Sequence, residues 1–197
     1  LIRLMAELGI KKVRITGGEP LTRRDVVWFF EQVNQIEGIN DIGISTNGTL
    51  LARRSKEGIT TAQALKNAGV RTVNVSLDTL DPEQYAETTG RDLFPEVVAG
   101  LDAACEAGFE KIKINSVLMR QRNEHELWDL IEFAREKNLL LRFIELMPVS
   151  TTQVLTEDNF LPAGEAKRLL EFRLGSLHPR PDIRTNGPAS YYEIENT

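Results

Sequence analysis

Cysteine is almost absent: Cys105 is the only one in 197 residues, which excludes an internal disulfide framework. Histidine is nearly as scarce. His125 and His178 stand far apart without metal-ligand spacing and are expected on the surface. There is no excess of basic charge. The net charge of -5 argues against a nucleic-acid surface, so any anion site has to be local. No apolar run approaches the roughly 20 residues of a membrane helix, and no signal peptide is legible. The cytoplasm is the default expectation, with neither nucleic acid nor membrane as partner.

What is present suits one globular domain. Hydrophobic residues make up 41% and charged residues 27%, enough for a proper core under a soluble surface. The chain begins with Leu1 inside "LIRLMAEL", an amphipathic helix pattern, and is expected to be a piece of a longer protein. Strand patterns occupy residues 12–16, 41–46, 72–78, 111–118 and 139–146. Helix patterns occupy approximately 1–8, 23–36, 61–68, 93–107 and 124–137, with a further helix near 162–172. Asp81-Pro82 reads as N-cap followed by N1, and Gly69 and Gly108 stand where helices end. Such alternation predicts an α/β fold with a parallel sheet, closed as a barrel or open. Residues 1–174 are expected to form this core, and the proline- and glycine-rich 175–197 an irregular start of a further region.

Parity within the strands is the most informative pattern. Val13 and Ile15 oppose Arg14 and Thr16, and Ile42 and Ile44 oppose Gly43 and Ser45. Val73, Val75 and Leu77 oppose Asn74, Ser76 and Asp78, while Ile112 and Ile114 oppose Lys113 and Asn115. Strand side chains alternate faces, so one face of the sheet is apolar and the other polar. Fully covered parallel strands are apolar on both faces. The polar face is therefore either solvent or a barrel lumen that takes a polar ligand.

Several local motifs bear on that ligand. Gly17-Gly18-Glu19-Pro20 reads as a tight strand-to-helix turn, or as a cradle. In the cradle reading Gly18 opens its backbone to a ligand and Glu19 accepts from an ammonium, which suits an amino acid. "STNG", Ser45 to Gly48, contains a common turn pair. Ser76 and Asp78 fall at a strand end, where Asp78 equally caps a turn. Lys113 is costly to bury without an anionic partner, and Arg14 has a fork that suits carboxylate or phosphate. Cys105 is expected as a small core residue, and Tyr191-Tyr192 as packing or an edge strand.

"KVRITGGEPLTRRD", "STNG", "VNVSLDTLDPEQY", "AGFEKIKINSVLMR" and "LRFIELMPV" follow in an order that resembles a known family. It is the radical S-adenosylmethionine GTP 3′,8-cyclase family of molybdenum cofactor biosynthesis, also called cyclic pyranopterin monophosphate synthase A. The resemblance runs from Leu1 to about Val149 and more loosely beyond. It implies a partial (β/α) barrel of the radical SAM type, with about five of its parallel strands present and the first missing. It implies that a reduced 4Fe-4S cluster cleaves S-adenosylmethionine to a 5′-deoxyadenosyl radical, which takes the 3′ hydrogen of GTP before the ribose attacks C8. By motif position Gly18, Glu19, Ser76 and Met147 resemble S-adenosylmethionine-binding residues. Arg14, Ser45 and Lys113 resemble GTP-binding residues, and Arg142 could reach a phosphate. Ser45 replaces the more usual threonine, and residues 55–61 resemble an insertion.

The departures are specific. The family carries CxxxCxxC after its first strand and a second three-cysteine set near its C-terminus, each holding a 4Fe-4S cluster. Cys105 matches neither, so the two clusters are expected in the parent protein and none in this chain, with no metal ligand or catalytic residue assigned here. The resemblance thus implies a central fragment, inactive alone, of an enzyme that needs GTP, a reductant and S-adenosylmethionine and forms a homodimer. Two alternatives stay open: a radical SAM enzyme with another substrate, and a cluster-free barrel that binds nucleotide or S-adenosylmethionine.

Overall fold

The computed structural model describes residues 1–147, 156, 158–183 and 189–194. Pro148 and Val149, at the end of the "LRFIELMPV" stretch, lie outside the described residues, as do parts of 175–197. In chain order the elements are α1 (Ile2–Glu7), β1 (Lys12–Ile15), α2 (Val26–Asn34), β2 (Asp41–Thr46), α3 (Thr61–Asn67), β3 (Thr72–Ser76) and α4 (Pro82–Thr89). There follow α5 (Phe94–Ala107), β4 (Lys111–Leu118), α6 (Leu127–Glu136), β5 (Leu140–Glu145), α7 (Ala163–Leu174), β6 (Leu177–Pro179) and β7 (Tyr192–Ile194).

Strands β1 to β5 pair in sequence order, all parallel, in one open sheet. Each crossover carries a helix, as parallel pairing requires. Local chemistry sets the helix limits. Asp81 accepts from the Glu83 and Gln84 amides at 2.8 and 3.0 Å and opens α4 with Pro82 in its first turn. Thr60 does the same for α3 through the Gln63 amide. Gly108 ends α5 in the left-handed region at φ 69°, which a glycine adopts without the Cβ penalty.

Among the differences from the sequence expectation, two stand out. β3 stops at Ser76 rather than 78, because Asp78 turns its carboxylate to the Val117 amide and leaves the ladder. Residues 175–197 are not irregular throughout: β6 and β7 form a two-stranded antiparallel ladder, with Leu177 opposite Ile194. The stretch near 55–61 is a tight loop closed by the Arg54–Thr60 bridge.

The faces of the sheet separate as parity predicts. Ile42, Ile44, Val73, Val75 and Ile114 are buried in one cluster with Phe30 and Val33 of α2, Leu65 of α3 and Leu101 of α5. Burying such a side chain contributes about 1.5–3 kcal/mol. The opposite face is polar, and its deeper positions are enclosed. Thr72, Asn74 and Lys113 are only 6%, 6% and 5% exposed. Enclosed polar positions across β3 and β4 match the lumen of a partial barrel. Cys105 is half-buried rather than a core residue, and its thiol donates to the Lys137 carbonyl.

Helix α5 approaches the loop after β2 so closely that a Cβ on Gly100 would stand 2.1 Å from the Gly48 carbonyl oxygen. Backbone cannot yield there as a side chain can. Gly100→Ala is expected to lower stability by about 1–3 kcal/mol through forced separation, measured as the shift in the urea midpoint.

Candidate functional site in the barrel lumen

Register places the candidate residues in rows across the lumen face. Arg14 lies beside Gly43, and Gly43 beside Thr72. Ser45, Asn74 and Lys113 form the next row, and Ser76, Asn115 and Arg142 the row nearest the strand ends. The sequence-predicted residues therefore divide by depth. Arg14 and Ser45 are half-buried and Lys113 is buried. Gly18, Ser76 and Met147 are exposed at the rim where strands end.

Arg14 is held by its own sheet. Its guanidinium donates to the Ile44 carbonyl at 3.2 Å and to Thr72 Oγ1 at 3.1 Å. It can do so because residue 43 lacks a side chain: a Cβ there would stand 2.9 Å from Arg14 Cζ. Burial lowers its pKa, opposed by the charge of Asp41, which itself pairs with Lys12. Lys113 has no carboxylate partner among the described residues. Burial first, then the positive charges of Arg142, Arg14, Lys111 and Lys12, lower its pKa to about 8. The floor of the lumen is thus a group of poorly solvated cations that favours an anion.

The rim is braced by carboxylates. Glu19 Oε1 accepts from the Leu21 amide at 3.0 Å and from Thr46 Oγ1 at 2.7 Å, and Oε2 accepts from the Asn47 amide at 2.7 Å. This ties the Gly-Gly-Glu-Pro loop to the loop after β2. One acceptor position on Oε2 remains for an ammonium. Gly18 has neither a left-handed φ nor a close neighbour, since a Cβ built on it meets nothing within 4 Å. Neither backbone strain nor close packing therefore demands a glycine at this position.

Several residues in this architecture were not found by sequence reasoning. Glu126, 6% exposed, accepts from Thr79 Oγ1 at 2.6 Å, the Leu80 amide at 2.7 Å and Gln84 Nε2 at 3.0 Å. Asn123 is wholly buried, accepts from the Met119 amide and donates to the Asp78 and Val117 carbonyls. Together they fix the loop that follows Ser76. Asp78 has its pKa raised by burial and accepts from the Val117 amide, so it braces β4. Asn47, Ser76, Asp78 and Tyr85 border a small open pocket at this rim. Only the residue types of Asn123 and Glu126 were legible, because their partners are distant in sequence. Arg142 is not a free anion contact: its guanidinium donates to the Tyr191 hydroxyl and lies over that ring. His125 and His178 are exposed, and no group among the described residues could hold a metal ion.

Glu19→Gln removes the charge from three hydrogen bonds and turns an amide donor toward the groups that donate to it. It is expected to lower stability by about 1–2 kcal/mol, read from urea denaturation, whereas Glu19→Asp, too short to reach both loops, is expected to lose as much.

A family model for the radical SAM superfamily matches residues 1–134. The chain is 40% identical over 195 residues to a GTP 3′,8-cyclase of Syntrophomonas wolfei, covering 99% of this chain and 57% of that protein. It is 46% identical over 147 residues to a probable GTP 3′,8-cyclase of Methanothermobacter thermautotrophicus, covering 75% and 46%. The chain thus spans about half the length of these curated relatives. Among solved structures, a domain of a pyruvate-formate lyase-activating enzyme from Bacteroides vulgatus matches at TM-score 0.59 and 20% identity, over 81% of this chain and 90% of that one. Coproporphyrinogen III oxidase from Escherichia coli, a radical SAM enzyme, matches at TM-score 0.61 and 13% identity, over 88% and 42%. These two likenesses bear on the fold alone. With five parallel strands, a polar lumen and a Gly-Gly-Glu-Pro rim, the chain belongs to the radical SAM superfamily.

Proposed function

We propose that this chain is the barrel core of a GTP 3′,8-cyclase of molybdenum cofactor biosynthesis. The observation that carries the reading is the division of one strand and its loop between two kinds of contact. Arg14 on β1 joins Lys113 at the lumen floor, where two cations without an ion-pair partner among the described residues suit a triphosphate. The loop that ends the same strand offers Gly18 and Glu19 at the rim, where a carboxylate and an ammonium of an amino acid suit the cosubstrate. Relatives named GTP 3′,8-cyclase match nearly the whole chain and support the same substrate.

In this reading the chain's residues bind and orient. Arg14, Ser45 and Lys113 hold GTP through its phosphates, with the lumen excluding water. Gly18, Glu19, Ser76 and Met147 hold S-adenosylmethionine, which supplies hydrogen-abstracting radical chemistry when bound. The fit to S-adenosylmethionine rests on the open backbone at Gly18 and the remaining acceptor position of Glu19. A 4Fe-4S cluster does not fit this chain. Cys105 is alone, half-buried and bonded to the Lys137 carbonyl, so its thiolate ligands belong to other parts of the parent protein. Residues 1–174 as barrel core, a missing first strand, a cytoplasmic place and a homodimeric parent belong to the same proposal.

The full-length protein, given GTP, S-adenosylmethionine and a reductant without oxygen, is expected to form the 3′,8-cyclised nucleotide, detected by mass spectrometry. Unchanged GTP beside cleaved S-adenosylmethionine would indicate a different substrate. Lys113→Ala and Arg14→Ala are each expected to weaken GTP binding about tenfold or more, as loss of a charge-assisted contact does, with S-adenosylmethionine affinity kept. Equal loss of both ligands would point to a structural role.

Lys113 also imposes a pH dependence. Its folded pKa of about 8 lies below its ordinary 10.5. Between these values the unfolded chain holds a proton that the folded chain has released, so stability rises with pH across that window. Below about 8 both states are protonated and the cost of the buried charge is constant. GTP binding has the opposite trend, because the ammonium is needed, and weakens as pH rises through about 8. Lys113→Met is expected to abolish the stability rise in thermal melts.

A further inference from the structure

The lumen face holds acceptors that its cations do not explain. Asn74 is 6% exposed, and its side-chain oxygen has no hydrogen-bond partner among the described residues. Its register neighbour on β4 is Lys113, and its neighbour on β2 is Ser45, yet neither reaches it. Asn115, on the same face and half-buried, has a second such amide oxygen, whereas the unpartnered Asp41 Oδ1 belongs to a carboxylate whose other oxygen pairs with Lys12. Val73 and Val75 on either side of Asn74 point into the apolar core, so alternation directs Asn74 into the lumen. A buried acceptor without a donor is unfavourable, because it has given up its water and gained no partner. An apolar residue of similar size at this position would be the more stable choice for an empty barrel.

The ligand chemistry follows from what each group can exchange. Arg14 and Lys113 only donate, and a phosphate chain at neutral pH only accepts, so these match. An amide oxygen finds nothing to accept from in such a chain. It requires a hydroxyl or an N–H, which a nucleoside carries on its ribose and base. Two partnerless acceptors on adjacent strands, beside the cations, therefore call for a ligand that has an anionic end and a donor-bearing end.

We propose that Asn74 is a specificity-determining contact of the lumen ligand, accepting a hydrogen bond from a hydroxyl or N–H of its nucleoside portion. The proposal rests on the reading of the lumen as a GTP site. It adds to that reading the residue that separates a nucleotide from a bare polyphosphate.

The test compares GTP with inorganic tripolyphosphate, binding each at equilibrium to the full-length protein. Asn74→Ala is expected to weaken GTP roughly 5- to 30-fold, the range of one lost hydrogen bond, and to leave tripolyphosphate unchanged. Lys113→Ala is expected to weaken both. The thermal midpoint of the Asn74→Ala protein, without ligand, is expected to stay level or rise. Asn74→Leu, closer in volume, gives the same comparison should the alanine variant fold poorly. Unchanged GTP affinity, equal weakening of both ligands, or a fall in the midpoint with both variants would overturn the assignment. If Lys113→Ala also leaves GTP affinity unchanged, or the wild-type protein binds no GTP, the GTP reading itself fails and the assignment of Asn74 fails with it.

Discussion

A buried ammonium without a counter-ion is the constraint around which the lumen is arranged. Lys113 sits mid-strand in β4, 5% exposed, with four positive charges acting on it and no carboxylate beside it among the described residues. Such a group is unfavourable in an empty protein. Its neighbours do not relieve it: Arg14 is engaged with Thr72 and the Ile44 carbonyl, and Arg142 with Tyr191. The apolar core on the far face of the sheet is extensive enough to hold the strand in place despite this. Apolar packing thus lies on one face and the unpaired charge on the other.

The rim obeys a different rule. Here the carboxylates are satisfied, and their task is to fasten loops to one another. Glu19 joins the loop after β1 to the loop after β2, while Glu126 and Asn123 fasten the loop after β3 to the turn that follows β4. Loops at strand ends carry exposed backbone at the places where such sheets bind ligands. Bracing with charge-assisted bonds keeps that backbone ordered while leaving Gly18 open. The same carboxylate of Glu19 braces the fold and retains an acceptor position toward the rim.

Much of this was legible without coordinates. The alternation in β1 to β4 separated core residues from lumen residues correctly, because a period of two is a local property of an extended chain. Asp81-Pro82 and Gly108 marked helix limits for equally local reasons. The motifs identified the family from their order along the chain. By contrast, nothing local in "QRNEHE" announces that Glu126 and Asn123 brace a loop 47 and 45 residues earlier. Arg142 and Tyr191, 49 residues apart, could not be paired from sequence either.

The polarity of the two sheet faces, the order of the motifs and the lack of cluster thiolates were all set by residue order and composition, which act through chain geometry and chemical type alone. Whether the polar face is wet or enclosed depended on curvature and on which strands are neighbours. That is a sum over distant contacts, which no local pattern carries. Only in the folded sheet does Gly43 become the space for the Arg14 guanidinium, and only there does Asn74 become an acceptor without a donor.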